Sequence, residues 1–161
     1  TRRAKAFGMK VLGTDIIEID HVFLSETGLE LTTLDILLSE ADFVSINCDL
    51  NPTSEHLINA LTLAQMKESA VLINTARGPI VHEEALIAAL QAGKLGGAAL
   101  DVFEHEPLPE DSPLKKMDNV MLAPHNSNSS PAAWERVHWS TIKNLLDGLG
   151  IDSDQLLENR A

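Results

Sequence analysis

Short apolar runs alternate with segments of helical character along most of this chain, and this alternation restricts the fold more than any other feature. Apolar runs of this length, closed by polar or turn residues, are typical of buried strands. Strands that are apolar on both sides and separated by helices form a parallel sheet covered on both faces, so we predict a doubly wound α/β domain. The predicted strands span residues 9–14, 42–48, 70–74, 95–102 and 119–123.

The segments between these strands carry the start and stop signals of helices. Thr32 or Thr33 is a suitable N-cap for the first of them. Glu83 and Glu84 would lie in the first turn of another helix, where acidic side chains are favourable. The predicted helices cover residues 34–38, 61–66 and 82–92, and a further one begins at Ser130-Pro131.

Charge and cysteine content exclude several classes of function. Twelve Lys and Arg residues against 24 Asp and Glu residues leave a net charge of −12 at pH 7. Attraction to nucleic acid or to anionic lipid is therefore not expected. The longest strictly apolar run, residues 85–90, is too short to span a membrane. Cys48 is the single cysteine, which rules out an internal disulfide and indicates a reducing, cytoplasmic location.

The start of the chain has the pattern of a helix end. Residues 1–8 (Thr-Arg-Arg-Ala-Lys-Ala-Phe-Gly) place basic side chains in a last turn and a glycine after it. We therefore expect a domain that is incomplete at its N-terminus. The glycine cluster at residues 93–98 follows a helix, so it is interpreted as a helix stop and not as a phosphate-binding loop. Residues 104–118 are predicted to form a long loop, and residues 150–161 a polar tail.

Four residues with chemically useful side chains lie at or shortly after predicted strand ends: Asp15, Arg77, Glu106 and His125. The carboxyl ends of parallel strands meet at one edge of a sheet, so we expect these residues to lie at the same edge. Taken singly, each has an ordinary alternative as a surface ion pair, a turn or loop acid, or a structural histidine. As a group they are typical of catalysis. Arginine can bind a carboxylate through two hydrogen bonds, histidine can transfer a proton near neutral pH, and glutamate can orient an imidazole.

Asp15 and Cys48 have more specific interpretations. A carboxylate at the end of the second strand of a dinucleotide-binding domain binds both ribose hydroxyls and repels a 2′-phosphate. Without a glycine-rich loop beside it, Asp15 could also be an ordinary turn residue. Cys48 has no histidine near it in sequence, which favours a wall residue over a nucleophile. The histidines show no metal-ligand spacing, so no metal site is predicted.

Three sequence segments resemble the nucleotide-binding domain of the D-isomer-specific 2-hydroxyacid dehydrogenases, a family that includes phosphoglycerate, glycerate and D-lactate dehydrogenases. The resemblance extends from about the first residue to residue 149. It implies a Rossmann-like nucleotide-binding domain over residues 1–149 that lacks its first strand and its glycine-rich loop. The segments are residues 74–81 (Asn-Thr-Ala-Arg-Gly-Pro-Ile-Val), 97–107 (Gly-Ala-Ala-Leu-Asp-Val-Phe-Glu-His-Glu-Pro) and 122–125 (Leu-Ala-Pro-His).

The resemblance also implies an activity. The protein would transfer a hydride between NAD(H) and a small D-2-hydroxy acid or 2-oxo acid, and it would act as a homodimer. Arg77 would bind the substrate carboxylate, His125 would be the general acid and base, and Glu106 would be its partner. An NAD(H)-sensing, corepressor-like binding module and an inactive domain fragment are the alternatives. The implied cofactor-binding residues are Asp15, Cys48, Thr75, Ala76 and Asp101.

Two segments depart from the family pattern. Residues 47–50 (Asn-Cys-Asp-Leu) stand where the family usually has His-x-Pro-Leu, at the implied wall of the cofactor site. Residues 126–129 (Asn-Ser-Asn-Ser) replace a glycine-containing run after the implied catalytic histidine. The sequence does not indicate which 2-hydroxy acid is used, because the second domain of this family supplies much of the substrate pocket.

Overall fold

The structure is a computed structural model that describes residues 1–127 and 129–151. The chain divides into two compact units, Thr1–His125 and a second unit that begins at Asn126. The first unit contains the strands and all the residues predicted to carry chemistry. Most of the predicted polar tail lies outside the described residues.

Helices and strands alternate in the first unit as the sequence predicts, although most elements are shorter than expected. The helices are α1 (Arg2–Ala6), α2 (His21–Thr27), α3 (Leu34–Glu40), α4 (Ala60–Leu63) and α5 (Glu83–Gln91). The strands are β1 (Leu12–Gly13), β2 (Glu30–Leu31), β3 (Phe43–Ile46), β4 (Val71–Asn74), β5 (Gly97–Leu100) and β6 (Val120–Leu122). Two 3-10 helices follow β4 and β5, at Gly78–Ile80 and Pro113–Lys116.

The named strands pair in parallel, in two separate sheets. β3, β4, β5 and β6 form a four-stranded sheet in that order, and β1 pairs with β2 in a two-stranded sheet. The prediction of a Rossmann-like α/β fold is confirmed. The expectation that the strand before Asp15 shares one sheet with the others is wrong. Backbone bonds from Glu30 to Val11 (3.1 Å) and from Thr32 to Gly13 (2.9 Å) tie β1 to β2 instead.

The core of the first unit joins the four-stranded sheet to helices α3, α4 and α5. Leu72 of β4, Leu38 of α3 and Leu86 of α5 are almost fully buried, and each such side chain contributes roughly 1.5–3 kcal/mol. β3 is covered on one face only, because Val44 is buried whereas Phe43 is 56% exposed. The prediction that both faces of every strand are covered is therefore wrong for this edge strand.

The sequence pattern does not predict α2 and β2. α2 begins after Asp20, whose carboxylate accepts a hydrogen bond of 2.7 Å from the Val22 N–H, and it ends at Gly28 in a left-handed conformation (φ 60°). Its only buried residue is Thr27, and both residues of β2 are exposed. Short elements with little buried surface leave no apolar periodicity in the sequence.

The second unit contains α6 (Pro131–Gly148), and its start is the predicted one. Ser130 Oγ accepts a hydrogen bond of 3.2 Å from the Ala133 N–H, and proline occupies the first turn. Apolar side chains of this helix, among them Trp134 and Leu145, are exposed.

Two further features concern all the residues that the structure describes. None of their helices is long and apolar enough to cross a membrane. Nor does any group of three or more of their His, Cys, Asp and Glu side chains have an arrangement that could hold a metal ion.

Candidate active site

The turn after β4 carries Arg77, and the buried side chain of Asn74 shapes it. Asn74 is 1% exposed. Its Oδ1 accepts a hydrogen bond of 3.0 Å from the Ala76 N–H, and its Nδ2 donates one of 2.9 Å to the Arg77 carbonyl. Both ends of the buried amide are thus satisfied inside the turn, which fixes the backbone on either side of Arg77. The sequence pattern gives Asn74 no role of its own, although an asparagine before a turn is a recognised signal.

Gly78 brings the Arg77 turn against the segment that leads to Glu106. A Cβ atom at Gly78 would lie 1.8 Å from the Phe103 carbonyl oxygen and 2.6 Å from the Glu104 nitrogen. No side chain fits there, so the two backbones are in direct contact. In the sequence, Gly78 is explained equally well as part of a turn, because close approach between distant segments leaves no local signal.

Glu106 and His125 form a direct pair. Glu106 Oε2 lies 2.8 Å from His125 Nδ1, and Glu106 Oε1 accepts a hydrogen bond of 3.0 Å from the Phe103 N–H. His125 has φ 53°, a left-handed conformation that costs a non-glycine residue about 1–3 kcal/mol. Both carboxylate oxygens therefore have a partner, the imidazole ring is oriented, and its Nε2 is turned away from Glu106 for another contact.

Arg77 acts on the same carboxylate through its charge. The pKa of Glu106 is lowered, first by the hydrogen bond with His125, then by the Phe103 N–H, and also by the positive charges of His125 and Arg77. Glu106 is therefore ionised at neutral pH, and its carboxylate can accept a hydrogen bond from the Nδ1–H of His125. The structure thus brings together three of the four side chains that the sequence groups by chemistry, Arg77, Glu106 and His125.

A cavity of about 730 Å³ opens where β3 and β4 end. Its volume is within the range of about 300–1,000 Å³ that is typical of small-molecule sites. Arg77 lines this cavity together with Cys48, Thr75 and Ala76, three of the residues that the resemblance assigns to the cofactor. The other lining residues are Ile46, Asn47, Asp49 and Leu50.

The Cys48 thiol in this wall is kept protonated. Its pKa is raised, first by partial desolvation and then by the negative charges of Asp49 and Asp15, although its own backbone N–H acts in the opposite sense. A thiol is a poor nucleophile when its pKa is raised. The environment therefore supports a wall residue, the interpretation that sequence favours.

Asp15 and Asp101 lie outside the lining of this cavity. Asp15 lies after β1, is exposed, and accepts a hydrogen bond of 3.2 Å from the Ile17 N–H. Its negative charge nevertheless contributes to the raised pKa of Cys48 in the cavity wall. Asp101, directly after β5, is 4% exposed, and its N–H bonds to the Asn74 carbonyl at 3.0 Å. The cofactor-binding roles of both residues stay predictions.

The fold and the site together define a class of protein: a Rossmann-like domain with arginine, glutamate and histidine grouped after parallel strands, beside a cavity of small-molecule size. The family model of the D-isomer specific 2-hydroxyacid dehydrogenase NAD binding domain matches residues 1–127. The chain therefore belongs to this family of oxidoreductases, as its sequence resemblance predicts. NAD is the cofactor that defines the family's domain.

Curated relatives agree with this assignment. The chain is 44% identical to a glyoxylate reductase of Thermofilum pendens over 159 residues. This aligned region covers 99% of this chain and 47% of the relative. It is also 44% identical to a D-3-phosphoglycerate dehydrogenase of Synechocystis over 146 residues. That aligned region covers 91% of this chain and 26% of the relative. The chain thus spans less than half the length of these relatives.

Solved structures show the same fold. One is a D-lactate dehydrogenase from Aquifex aeolicus complexed with NAD and lactic acid, which superposes on this chain with a TM-score of 0.79 and 35% sequence identity. The match covers 92% of this chain and 48% of the D-lactate dehydrogenase chain. The D-mandelate dehydrogenase of Rhodotorula graminis in its holo form has a TM-score of 0.82 and 32% identity over 90% of this chain and 42% of its own.

Proposed function

We propose that this chain carries the catalytic groups of an NAD-dependent D-2-hydroxyacid dehydrogenase, which interconverts a small D-2-hydroxy acid and its 2-oxo acid. The observation that carries the proposal is the contact of 2.8 Å between Glu106 Oε2 and His125 Nδ1, with Arg77 in electrostatic reach of the same carboxylate. An oriented imidazole beside a carboxylate-binding arginine supplies the acid–base and charge-stabilising groups that this reaction needs.

Arg77 and His125 have distinct tasks in this mechanism. The exposed Arg77 guanidinium donates through Nη1 to the Ala76 carbonyl at 2.6 Å, which leaves further N–H groups for a substrate carboxylate. In reduction, Arg77 also stabilises the negative charge that develops on the carbonyl oxygen. His125 donates the proton to that oxygen through Nε2, because Nδ1 faces Glu106. In oxidation the same nitrogen accepts the proton. When bound, NAD(H) supplies or accepts the hydride.

The proposal assigns the cofactor to the edge of the sheet where the cavity lies. Cys48, Thr75 and Ala76 would form the wall on the nicotinamide side, since they line the cavity. Asp101 would contribute to the same half from its buried position after β5. Asp15 would bind the ribose hydroxyls and select NAD(H) over NADP(H), because a carboxylate repels a 2′-phosphate.

The names of the relatives favour an enzyme over the alternatives. Glyoxylate reductase and D-3-phosphoglycerate dehydrogenase are oxidoreductases, and this chain keeps the grouped arginine, glutamate and histidine, so neither a sensing module nor an inert fragment is favoured.

We further propose a cytoplasmic protein, because it has one cysteine, and a homodimer, by analogy with the family. Its partner would be a small organic acid, not nucleic acid or a membrane, in line with the net charge of −12.

The test is oxidation of NADH by the complete gene product that contains these 161 residues, assayed with glyoxylate, hydroxypyruvate and pyruvate. His125→Ala removes the proton donor, so turnover should fall by about 10²–10⁴-fold while NADH still binds. His105→Ala, a change of an exposed histidine in the nearby loop, is the matched control and should keep wild-type turnover. Equal turnover in His125→Ala and the wild type would contradict the proposed mechanism.

A further inference from the structure

We propose that Glu104 is a positioning residue, which holds the segment that carries Glu106 by binding it to His56 and to the first turn of α5. The inference rests on the proposed catalytic roles of Glu106 and His125. It assigns a task to a side chain that the sequence pattern leaves without one.

The first observation is that both carboxylate oxygens and the N–H of Glu104 have polar partners on other segments. Oε1 lies 2.6 Å from His56 Nε2, and Oε2 accepts a hydrogen bond of 2.9 Å from the Glu83 N–H. In return, the Glu104 N–H donates to the Glu83 carboxylate at 3.2 Å. Burial alone would raise the pKa of Glu104, but the bonds from Glu83 and His56 outweigh it and the pKa is lowered. A charged, fully bonded carboxylate makes a firm connection between segments.

The second observation is that His56 is itself fixed. Its N–H donates to the Pro79 carbonyl at 2.9 Å, and its carbonyl accepts a hydrogen bond of 2.9 Å from Asn59 Nδ2. The backbone of His56 adopts φ 48°, a strained conformation that these bonds maintain. His56 therefore connects the turn after Arg77 to Glu104.

The third observation links Glu104 to the catalytic pair through the main chain. The Phe103 N–H donates to Glu106 at 3.0 Å, and the Phe103 carbonyl lies against Gly78. The next N–H along the chain is that of Glu104, bound by Glu83. Because Phe103 and Glu104 are adjacent, we expect a displacement of Glu104 to move the N–H that orients Glu106. Geometric precision of this kind depends on such supporting contacts.

A positioning role and a simple effect of charge predict shifts of opposite sign in the Glu106 pKa when Glu104 is removed. If Glu104 acted on Glu106 only as a neighbouring negative charge, its removal would lower the Glu106 pKa. If Glu104 holds the segment, its removal weakens the hydrogen bonds from Phe103 and His125, and the Glu106 pKa rises. The two explanations therefore predict opposite shifts of one measured quantity.

The experiment is a carbon-13 NMR titration of the Glu106 carboxyl in the complete gene product that contains this chain. We expect Glu104→Ala to raise the Glu106 pKa toward the ordinary range of a glutamate. Glu104→Gln, which keeps a side-chain acceptor for the Glu83 N–H, should give a smaller rise. Glu110→Ala removes an exposed acid from the same loop and should leave the titration unchanged. An unchanged or lowered Glu106 pKa in Glu104→Ala would overturn the positioning role.

A second variant covers the case in which Glu104→Ala does not fold. His56→Asn keeps a residue type that tolerates positive φ but is too short to reach Glu104. It should also raise the Glu106 pKa, and an unchanged value would overturn the inference. His125→Ala separates this inference from the proposed function. If the Glu106 pKa does not rise in His125→Ala, the pairing of Glu106 with His125 is contradicted, and with it the proposed function. If the pKa rises in His125→Ala but not in Glu104→Ala, only the positioning role of Glu104 is contradicted.

Discussion

The two ends of the proposed site are built differently. Around Arg77, the buried Asn74 amide fixes the turn from inside, and Gly78 packs it against the neighbouring loop. Asp15 instead follows a two-residue strand of the smaller sheet, is exposed, and accepts a hydrogen bond from Ile17 close by. The turn that carries Arg77 is thus fixed by a buried amide and by a close approach to a distant backbone segment, whereas the carboxylate proposed for the ribose is placed by an exposed local turn.

Changes on the Arg77 side should alter stability and chemistry together, because the same contacts serve both. Changes at Asp15 should alter the choice of cofactor and leave stability nearly unchanged.

The largest expected effect is that of Gly78→Ala. The new Cβ would lie 1.8 Å from the Phe103 carbonyl oxygen, so one of the two backbones must move. We expect a loss of about 3 kcal/mol in the free energy of unfolding, measured by urea denaturation. Gly148→Ala in α6 is the control, because its Cβ would meet nothing within 4 Å, and it should change stability by no more than about 1 kcal/mol. Similar curves for both variants would show that the Arg77 turn is not rigidly packed.

An intermediate effect is expected for Asp15→Ala, measured in the complete gene product. The ratio of kcat/KM with NADH to that with NADPH should fall about tenfold or more, since at least one charged hydrogen bond of about 1.5 kcal/mol is lost. Glu18→Ala removes another exposed acid three residues on and should leave the ratio unchanged. Equal use of NADH and NADPH by the wild type would refute the role of Asp15.

The smallest effect is the dependence of stability on pH that comes from the Glu106–His125 pair. The pKa of Glu106 is lowered in the folded state, so its stabilising contribution is present above the unfolded pKa and is lost as pH falls through the folded pKa. From about pH 6 to about pH 3, the wild type should therefore lose more stability than His125→Gln. Because both side chains are partly exposed, the difference should be less than about 1 kcal/mol.

The control for this measurement is His105→Gln, which should follow the wild-type pH curve. If His125→Gln follows it as well, the Glu106–His125 contact contributes nothing in solution. The difference between the two ends of the site would then depend on the contacts of Asn74 and Gly78.

Much of the architecture could be predicted because it depends on local pattern. The runs that form β3 to β6 are long and apolar enough to be recognised, although the observed strands are shorter. Residues 42–48, for example, contain β3 at Phe43–Ile46. The grouping of Arg77, Glu106 and His125 follows from the general rule that parallel strands end at one edge of a sheet.

The remainder depends on contacts that no local pattern records. His56 and Glu104 are 48 residues apart, and neither shows in sequence that it will meet the other. α2 and β2 bury too little apolar surface to produce a periodic signal. The separation of β1 from the main sheet was also not predictable, since apolar pattern marks a strand but does not choose its neighbour.

By itself, the sequence determined the order of helices and strands, the family and the residue types available for chemistry, because these follow from short-range periodicity and motif spacing. Only the tertiary structure decided that Gly78 must be a glycine, that Glu104 connects His56 to the first turn of α5, and that Asp101 is buried. The physical reason is that hydrogen bonds and van der Waals contacts act over a few ångströms. Which atoms come that close is settled only when distant segments pack together.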